Sequence, residues 1–315
     1  MRMFHIALLL FSVILLHSCI GEDLSSCRHI ADNNLIIEFL YTDNEGQDIF
    51  CDRINKVNLF VFDENGCFVT SHCEETEALS VFAGTKLSLP PGTYRIIFWG
   101  NAADKCEFRD LSIGCFFSEA SLCNISSDTE YYPTNGDPLY YAPAMISEPL
   151  RSQQFIATIP IEGTTSASVS FGRAHIKIAI YIKGFEDKSD EGTSLTPVIE
   201  LTDIPPSYNF ELQAFGDPVC YGEIAEPATI DGEQLSIAEF NTPVFREDTP
   251  MQLIIKKQSD GGTLTTINLK DFIRKNNIDL QGSSDLRIPI FLEYKQGSFE
   301  ITLPDWGQNP IGPET

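Results

Sequence analysis

The segment Arg173-Ala174-His175-Ile176-Lys177-Ile178-Ala179-Ile180-Tyr181-Ile182 carries an isoleucine at every second position from Ile176 onward. Successive side chains of a β-strand point to opposite faces of its sheet, so these isoleucines share one face. Their branching at Cβ also favours an extended backbone. The segment therefore predicts a strand with one face in a hydrophobic core. We expect it to open a second domain, with the domain boundary near residue 170.

The residues before this segment show the same strand-like pattern, interrupted by turn residues. Val57–Asp63 partly alternates and then meets Asn65-Gly66, a dipeptide typical of hairpin turns. Thr93–Trp99 predicts a buried strand, and residues 101–149 predict a long connection with minor strands. Further strand-like runs are Leu35–Tyr41, Phe68–Val69, Thr85–Leu89, Gln154–Pro160 and Ser166–Phe171. Short strands separated by turn residues about ten positions apart favour a β-sandwich.

The residues after the isoleucine segment predict a second set of strands and one helix. The strands are Thr196–Thr202, Asn209–Gln213, Thr249–Lys256, Arg287–Glu293 and Ser298–Leu303. In Asn268–Lys275, the side chains of Leu269, Phe272 and Ile273 lie on one helical face. We therefore predict an all-β protein of two tandem β-sandwich domains, residues 31–169 and 170–315, with one short helix in the second.

The N-terminus carries the pattern of an exported lipoprotein. Phe4–Leu16 is a mostly apolar run that is shorter than the roughly 20 residues of a membrane-spanning helix, and its length is typical of a signal peptide. Leu16-His17-Ser18-Cys19 resembles a bacterial lipobox, which predicts removal of residues 1–18 and acylation of Cys19. Residues 19–30 would then form an acylated linker, held in a bilayer by several acyl chains. The alternative is an ordinary signal peptide, with Cys19 in a disulfide.

The cysteine content favours an oxidising compartment. Nine cysteines are unusual for a cytosolic protein unless they bind metal or take part in catalysis. Without Cys19 eight remain, an even number that suits a disulfide framework, although the spacing leaves the pairing open. Cys67 and Cys73 flank a short stretch and could close a small loop, whereas Cys220 has no partner nearby in sequence. The candidate disulfide cysteines are Cys27, Cys51, Cys67, Cys73, Cys106, Cys115 and Cys123.

Charge and motif content exclude several classes of function. A net charge of −24 repels phosphate backbones and anionic headgroups, which excludes a nucleic-acid partner and electrostatic docking on a membrane. No phosphate-binding loop, G-x-S-x-G or H-E-x-x-H motif occurs. Cys67, His72 and Cys73 lack the second ligand pair of a structural zinc site. His29, His72 and His175 are expected to be surface or packing residues. We predict a protein without enzymatic activity, metal or cofactor.

Five motifs, in this order and spacing, resemble the FimB-like fimbrial anchor and minor subunit lipoproteins of Bacteroidales type V pili. They are Cys19–Cys27 at the mature start, Val57–Gly66 and Pro91–Asn101 in the first half, Arg173–Ile178 at the opening of the second half, and Ile301–Trp306 near the end. The resemblance spans nearly all of the mature chain.

This resemblance implies two transthyretin-like β-sandwich domains in tandem and an outer-membrane protein that is anchored through acylated Cys19 and exposed at the cell surface. Its partners would be other fimbrial subunits, joined by β-strand addition, and its role that of an anchor, assembly or length-limiting subunit. A tip or adhesin subunit is a variant of this hypothesis. The alternative is a surface lipoprotein that binds a glycan or another soluble ligand through Tyr131, Tyr132, Tyr140 and Tyr141.

Overall fold

A computed structural model describes residues 32–125, 136–143, 154–246, 249–280 and 286–303. The predicted signal peptide, Cys19, Cys27, His29, Tyr131, Tyr132 and Trp306 lie outside the described residues. Within the described ranges, no helix combines the length and the hydropathy needed to cross a membrane.

The first half contains eleven strands and two short helices. The strands are β1 (Leu35–Leu40), β2 (Lys56–Asp63), β3 (Phe68–Glu75), β4 (Gly84–Leu87), β5 (Gly92–Gly100), β6 (Cys106–Arg109), β7 (Ser121–Asn124), β8 (Tyr140–Ala142), β9 (Phe155–Ile159), β10 (Thr165–Ser170) and β11 (Gly172–Arg173). The helices are α1 (Phe50–Arg53) and α2 (Thr76–Val81). We predicted neither helix: α1 spans four residues and α2 six, which is too short for a clear helical period.

Two sheets of the first half face each other across one core. The smaller sheet has the order β10-β1-β4, in which β1 runs parallel to β10 and antiparallel to β4. The larger sheet has the order β11-β8-β5-β2-β3, and β9 also pairs with β5. Leu35, Ile37 and Phe39 of β1 pack with Leu59 of β2 and Phe98 of β5. Alternate residues of each strand thus fill the space between the sheets.

The β2–β3 hairpin forms at the predicted Asn65-Gly66 turn. The Asp63 carboxylate accepts hydrogen bonds from the backbone N–H groups of Asn65 and Cys67, both at 2.9 Å. Gly66 adopts a φ of +82°, a conformation that side chains with a Cβ rarely adopt. The Asn-Gly signal is therefore confirmed by local turn chemistry.

The second half contains thirteen strands and one helix. The strands are β12 (His175–Lys183), β13 (Asp187–Lys188), β14 (Ser194–Leu195), β15 (Val198–Ile204), β16 (Ser207–Asn209), β17 (Ala214–Phe215), β18 (Val219–Ile224), β19 (Glu226–Ile230), β20 (Glu233–Pro243), β21 (Gln252–Lys256), β22 (Thr263–Asn268), β23 (Arg287–Lys295) and β24 (Ser298–Thr302). The helix is α3 (Leu269–Lys275), and it confirms the predicted helix.

Strand β12 lies at the centre of the larger sheet of the second half, whose order is β19-β20-β12-β23-β24. The isoleucines at its alternate positions are fully or almost fully buried, as predicted. They face a second sheet of order β18-β15-β21-β22, and Leu201 of β15, Leu253 of β21 and Phe272 of α3 complete this core. The mostly-β class predicted from the sequence is confirmed.

A further sheet is built from both halves of the chain. Its order is β17-β16-β7-β6, so that β16 of the second half pairs antiparallel with β7 of the first. This sheet packs on the outer face of the larger first-half sheet, where Phe210 contacts the rings of Phe60, Phe62 and Trp99. The chain thus returns from its second half to complete a layer of its first.

One strand prediction in the second half is wrong, and several strands there were not predicted. Asn209–Gln213 is a tight turn between β16 and β17: the Asn209 side chain accepts from the N–H groups of Glu211 and Gln213, and Leu212 has a φ of +58°. Strand β20, the longest of the described strands at 11 residues, was not predicted, and neither were β18, β19 and β22. Asp231-Gly232 precedes it, and this dipeptide is a hairpin signal that could have revealed both β19 and β20.

Candidate functional site

The two halves of the chain meet at a network of buried hydrogen bonds. We call it the joint and define it as strands β6, β7, β16 and β17 with the residues that bond to them. At its centre the Tyr208 hydroxyl donates to the carbonyl of Ala174 at 2.9 Å and accepts from the N–H of Val244. Burial raises the pKa of Tyr208, so its hydroxyl stays protonated and available as a donor.

Around Tyr208, hydrogen bonds connect the second half to the first. The N–H of Ala174 donates to the carbonyl of Leu139 at 2.8 Å, and Nδ1 of His175 lies 2.8 Å from the same oxygen. Because a carbonyl only accepts, Nδ1 of His175 carries the proton. The Asn241 side-chain amide donates to the carbonyl of Gly136 at 2.9 Å. His175 is therefore a buried packing residue, which is one of the two roles predicted for it from the sequence.

Three more side chains add hydrogen bonds to this network. The Tyr141 hydroxyl donates to the carbonyl of Phe210 at 2.7 Å, and the Asn124 amide donates to the Tyr221 hydroxyl. A guanidinium N–H of Arg173 donates to the carbonyl of Leu280 at 3.2 Å. Buried polar groups cost free energy unless they are hydrogen-bonded, so this network fixes the relative position of the elements it joins.

The joint encloses a cavity too small for a ligand. Its volume is about 10 Å³, and its walls include Leu139, His175, Tyr208 and Asn241. A cavity of that size has room for about one water molecule. The joint therefore has the properties of a structural connection and not those of a binding pocket.

Among the described residues, six cysteines are free thiols: Cys51, Cys67, Cys73, Cys106, Cys115 and Cys123. For two pairs, the position in the fold explains why no disulfide forms between them. Cys67 and Cys73 lie along one extended segment, which separates their Cα atoms by about 20 Å and excludes the small loop that we predicted. Cys106 pairs across the strands with Asn124, and Cys123 pairs with Glu107, so the two thiols lie on opposite faces.

The remaining candidate residues do not converge on a reactive centre. His72 is exposed and lies 3.1 Å from the carboxylate of Glu74. Tyr140 and Tyr141 are buried, with 5% and 1% exposure, so they pack the first half and present no surface to a glycan. Among the described residues, no group of three or more His, Cys, Asp or Glu side chains is placed to hold a metal ion.

The residues of the joint were not predicted from the sequence. Ser207 pairs with Cys123 although more than 80 positions separate them, and no local pattern reports such a contact. One signal was present in Ser207-Tyr208-Asn209-Phe210, where two large aromatic residues occur in a short, turn-rich stretch. Aromatic residues in such a stretch need a core to cover them, and here that core belongs to the other half of the chain.

Comparison with known proteins identifies relatives of this fold. A search of curated protein sequences finds no match. Among solved structures, a candidate adhesin of Bacteroides ovatus aligns with a TM-score of 0.67 at 16% identity, covering 88% of this chain and 97% of that chain. A candidate polysaccharide-binding protein of Bacteroides thetaiotaomicron aligns with a TM-score of 0.65 at 17% identity, covering 86% and 96%.

The fimbrial anchor protein Mfa2 of Porphyromonas gingivalis aligns with a TM-score of 0.59 at 14% identity, covering 86% of this chain and 95% of that chain. At such identities these likenesses concern the fold alone. The family model of the fimbrillin-A associated anchor proteins Mfa1 and Mfa2 matches residues 24–309, which is most of the chain. This match confirms the resemblance to fimbrial anchor proteins, and the chain belongs to the family of fimbrillin-A associated anchor proteins.

Proposed function

We propose that this protein is a non-catalytic, lipid-anchored subunit of a surface fimbria. Acylated Cys19 holds it in the outer membrane with the folded part outside the cell. It serves as an anchor, assembly or length-limiting subunit and is joined to other subunits by β-strand addition. We further propose that its sandwiches are transthyretin-like domains, residues 31–169 and 170–315, preceded by the acylated linker 19–30.

The observation that carries this proposal is the extent of the family match. It begins at residue 24, shortly after the lipobox cysteine, and runs to residue 309 across both halves. A lipid anchor at Cys19 would therefore be separated from the first described strand, at Leu35, by a short linker only. Such an arrangement suits a subunit that holds a fibre at the membrane.

The joint supports a mechanical role. An anchor has to transmit tension from the fibre to the membrane, and a flexible hinge between two domains would yield first. Here a sheet shared by both halves and the buried hydrogen bonds between them, such as that from the Ala174 N–H to the Leu139 carbonyl, resist separation of the halves. Strands of one half would have to leave the sheet before the halves could part.

Open sheet edges support strand addition. Among the described residues, both sandwiches end in edge strands, β3 among them, and a strand added at such an edge binds through main-chain hydrogen bonds. The acyl anchor and strand addition together would fix both ends of the subunit.

Lipidation is tested by substituting Cys19 in the host. Cells expressing wild-type protein, Cys19→Ala or Cys27→Ala are fed an alkyne-labelled fatty acid, and membrane fractions are compared. We expect label and membrane association in wild type and in the Cys27→Ala control, and neither in Cys19→Ala. Label retained in Cys19→Ala would contradict anchoring through this cysteine.

A further inference from the structure

We propose that the outer edge of β3, together with an exposed apolar patch beside it, accepts an extended strand from a different fimbrial subunit. The inference rests on the proposed strand addition and assigns that event to one place in the fold. We call this place the β3 site and define it by the edge Val69–Glu75 and the apolar residues Val69, Phe108, Leu111, Ile113 and Phe116.

The backbone of β3 is paired on one side only over most of its length. Its inner side pairs with β2, and β3 is the last strand of its sheet. On the outer side, the N–H of Phe68 donates to the carbonyl of Cys115 at 2.9 Å, and the backbone of Cys67 forms an isolated β-bridge with that of Phe116. From Val69 onward no described strand pairs with that side, and five of the eight residues of β3 are exposed.

The apolar patch lies where this open edge begins. Val69 is 38% exposed, Phe116 48% and Ile113 92%. A backbone β-bridge pairs Phe116 with Cys67, two residues before Val69. Ile113 lies in the turn closed by the hydrogen bond from the Cys115 N–H to the Ser112 carbonyl. Phe108 and Leu111 are partly buried below them against the outer aromatic layer. An incoming strand could therefore bury apolar side chains while its backbone pairs with β3.

The other edges of the described fold are protected or lack such a patch. Edge strands that are short or carry charge or proline are common devices against unwanted pairing. Protected in this way are β4 with Lys86, β6 with Glu107 and Arg109, β18 with Glu223, β19 with Glu226 and Pro227, β24 with Glu300, and the two-residue strands β11 and β17. Strand β3 carries Glu74 and Glu75 only at its end, and its residues Phe68–Cys73 include no Asp, Glu, Lys or Arg. The Thr165 hydroxyl donates to the carbonyl of Thr158, and this hydrogen bond connects the edge of β10 to β9. Strand β22 carries no large exposed apolar residue.

Charge selects the occupant. Glu74, Glu75 and Glu77 follow the apolar part of the site, and the whole chain carries a net charge of −24. A second copy of this chain would bring the same excess of negative charge, so like-charge repulsion disfavours self-association. The site fits an extended segment of another subunit that is apolar at alternate positions and neutral or basic where it passes the glutamates.

Hydrogen exchange measured by mass spectrometry tests the β3 site. The probe is fimbriae sheared from host cells that lack this protein, mixed with the purified wild-type chain. We expect amide exchange in peptides covering residues 69–75 to slow at least tenfold on binding. Protection elsewhere, with unchanged exchange at 69–75, would overturn this inference but leave the proposed function standing. If the wild-type chain does not bind these fimbriae at all, both are overturned.

Two variants provide an independent readout. Val69→Lys and Phe116→Lys each remove an apolar contact and add a charge at an exposed position, so we expect each to weaken binding to the same fimbriae about tenfold. Ile161→Lys is the matched control, because Ile161 is 73% exposed but lies away from β3, and its binding should equal wild type. Thermal unfolding confirms that each variant is folded. Wild-type binding by both lysine variants would overturn the site.

Discussion

The Tyr208 hydroxyl connects three segments of the chain. It lies in β16, donates to Ala174 just before β12, and accepts from Val244 just after β20. Its side chain is 2% exposed, so water cannot replace these partners without a change of structure. A single polar atom therefore fixes the position of β16, which pairs with β7 of the first half, relative to the central sheet of the second half.

Replacing Tyr208 by phenylalanine tests this role. The change leaves the Ala174 carbonyl and the Val244 N–H without this partner in a buried position, so we expect a loss of about 1–3 kcal/mol in the free energy of unfolding. Urea unfolding measures it. Tyr94→Phe is the control: its half-buried hydroxyl bonds only the carbonyl of Pro90 at 2.9 Å, and its loss should cost less. Equal stability of Tyr208→Phe and wild type would contradict the account.

The cysteines are expected to differ in their reactivity toward an alkylating reagent. Cys51 and Cys73 are exposed, whereas Cys106 and Cys123 are buried. Burial, with the nearby carboxylate of Asp137, raises the pKa of Cys106 well above its usual range, which keeps the thiol protonated and unreactive. Brief alkylation of the native protein should modify Cys51 and Cys73 and spare Cys106 and Cys123 until urea is added. If Cys51 and Cys73 react only after reduction, they are in disulfides.

Helix α3 shows how one cap defines the start of an element. The Asn268 side chain accepts a hydrogen bond from the N–H of Asp271 at 3.1 Å, and Arg274 and Lys275 occupy the last turn, where positive charge is favourable. The buried face of Leu269, Phe272 and Ile273 then seats the helix against the core of the second half.

Substitution of the cap should weaken this helix measurably. Asn268→Ala removes the acceptor and is expected to lower the free energy of unfolding by about 1 kcal/mol. Asn268→Asp keeps an acceptor of the same reach and should stay close to wild type. Urea titrations of the three proteins decide the matter, and an alanine variant as stable as the aspartate variant would show that the cap contributes nothing.

Elements with a strong local period were predictable from the sequence, and elements defined by distant contacts were not. Strand β12 and helix α3 each place their apolar residues at one characteristic spacing, so both were found. The strand prediction for Asn209–Gln213 was wrong because the apolar side chain of Phe210 lies in a turn. Its apolar residue in fact serves the core of the first half. The joint depends on pairing between β7 and β16, which no local pattern could report.

We expect the two halves of the molecule to depend on each other for stability. Phe210 comes from the second half but lies among aromatic rings of the first, with its centroid 6.3 Å from that of Trp99. The first half therefore lacks part of its outer layer unless the second half is in place. Unfolding of either half should destabilise the other.

Fluorescence of Trp99 tests this coupling. In a Trp306→Phe background Trp99 is the remaining tryptophan, and Phe210→Ala should change its native emission and cost about 3–5 kcal/mol of stability. Phe240→Ala removes a ring of the same size from the core of the second half, so it should lower stability without changing native Trp99 emission. Identical native spectra for Phe210→Ala and its parent would contradict the coupling.

The most direct test of the anchor role measures fibre length and membrane retention together in host cells that express Cys19→Ala. Cys27→Ala serves as the control. If Cys19 anchors the fibre, the Cys19→Ala protein leaves the membrane fraction, and fibres are released into the medium or grow longer than in wild type. Unchanged, cell-bound fibres beside a soluble Cys19→Ala protein would contradict the anchor role.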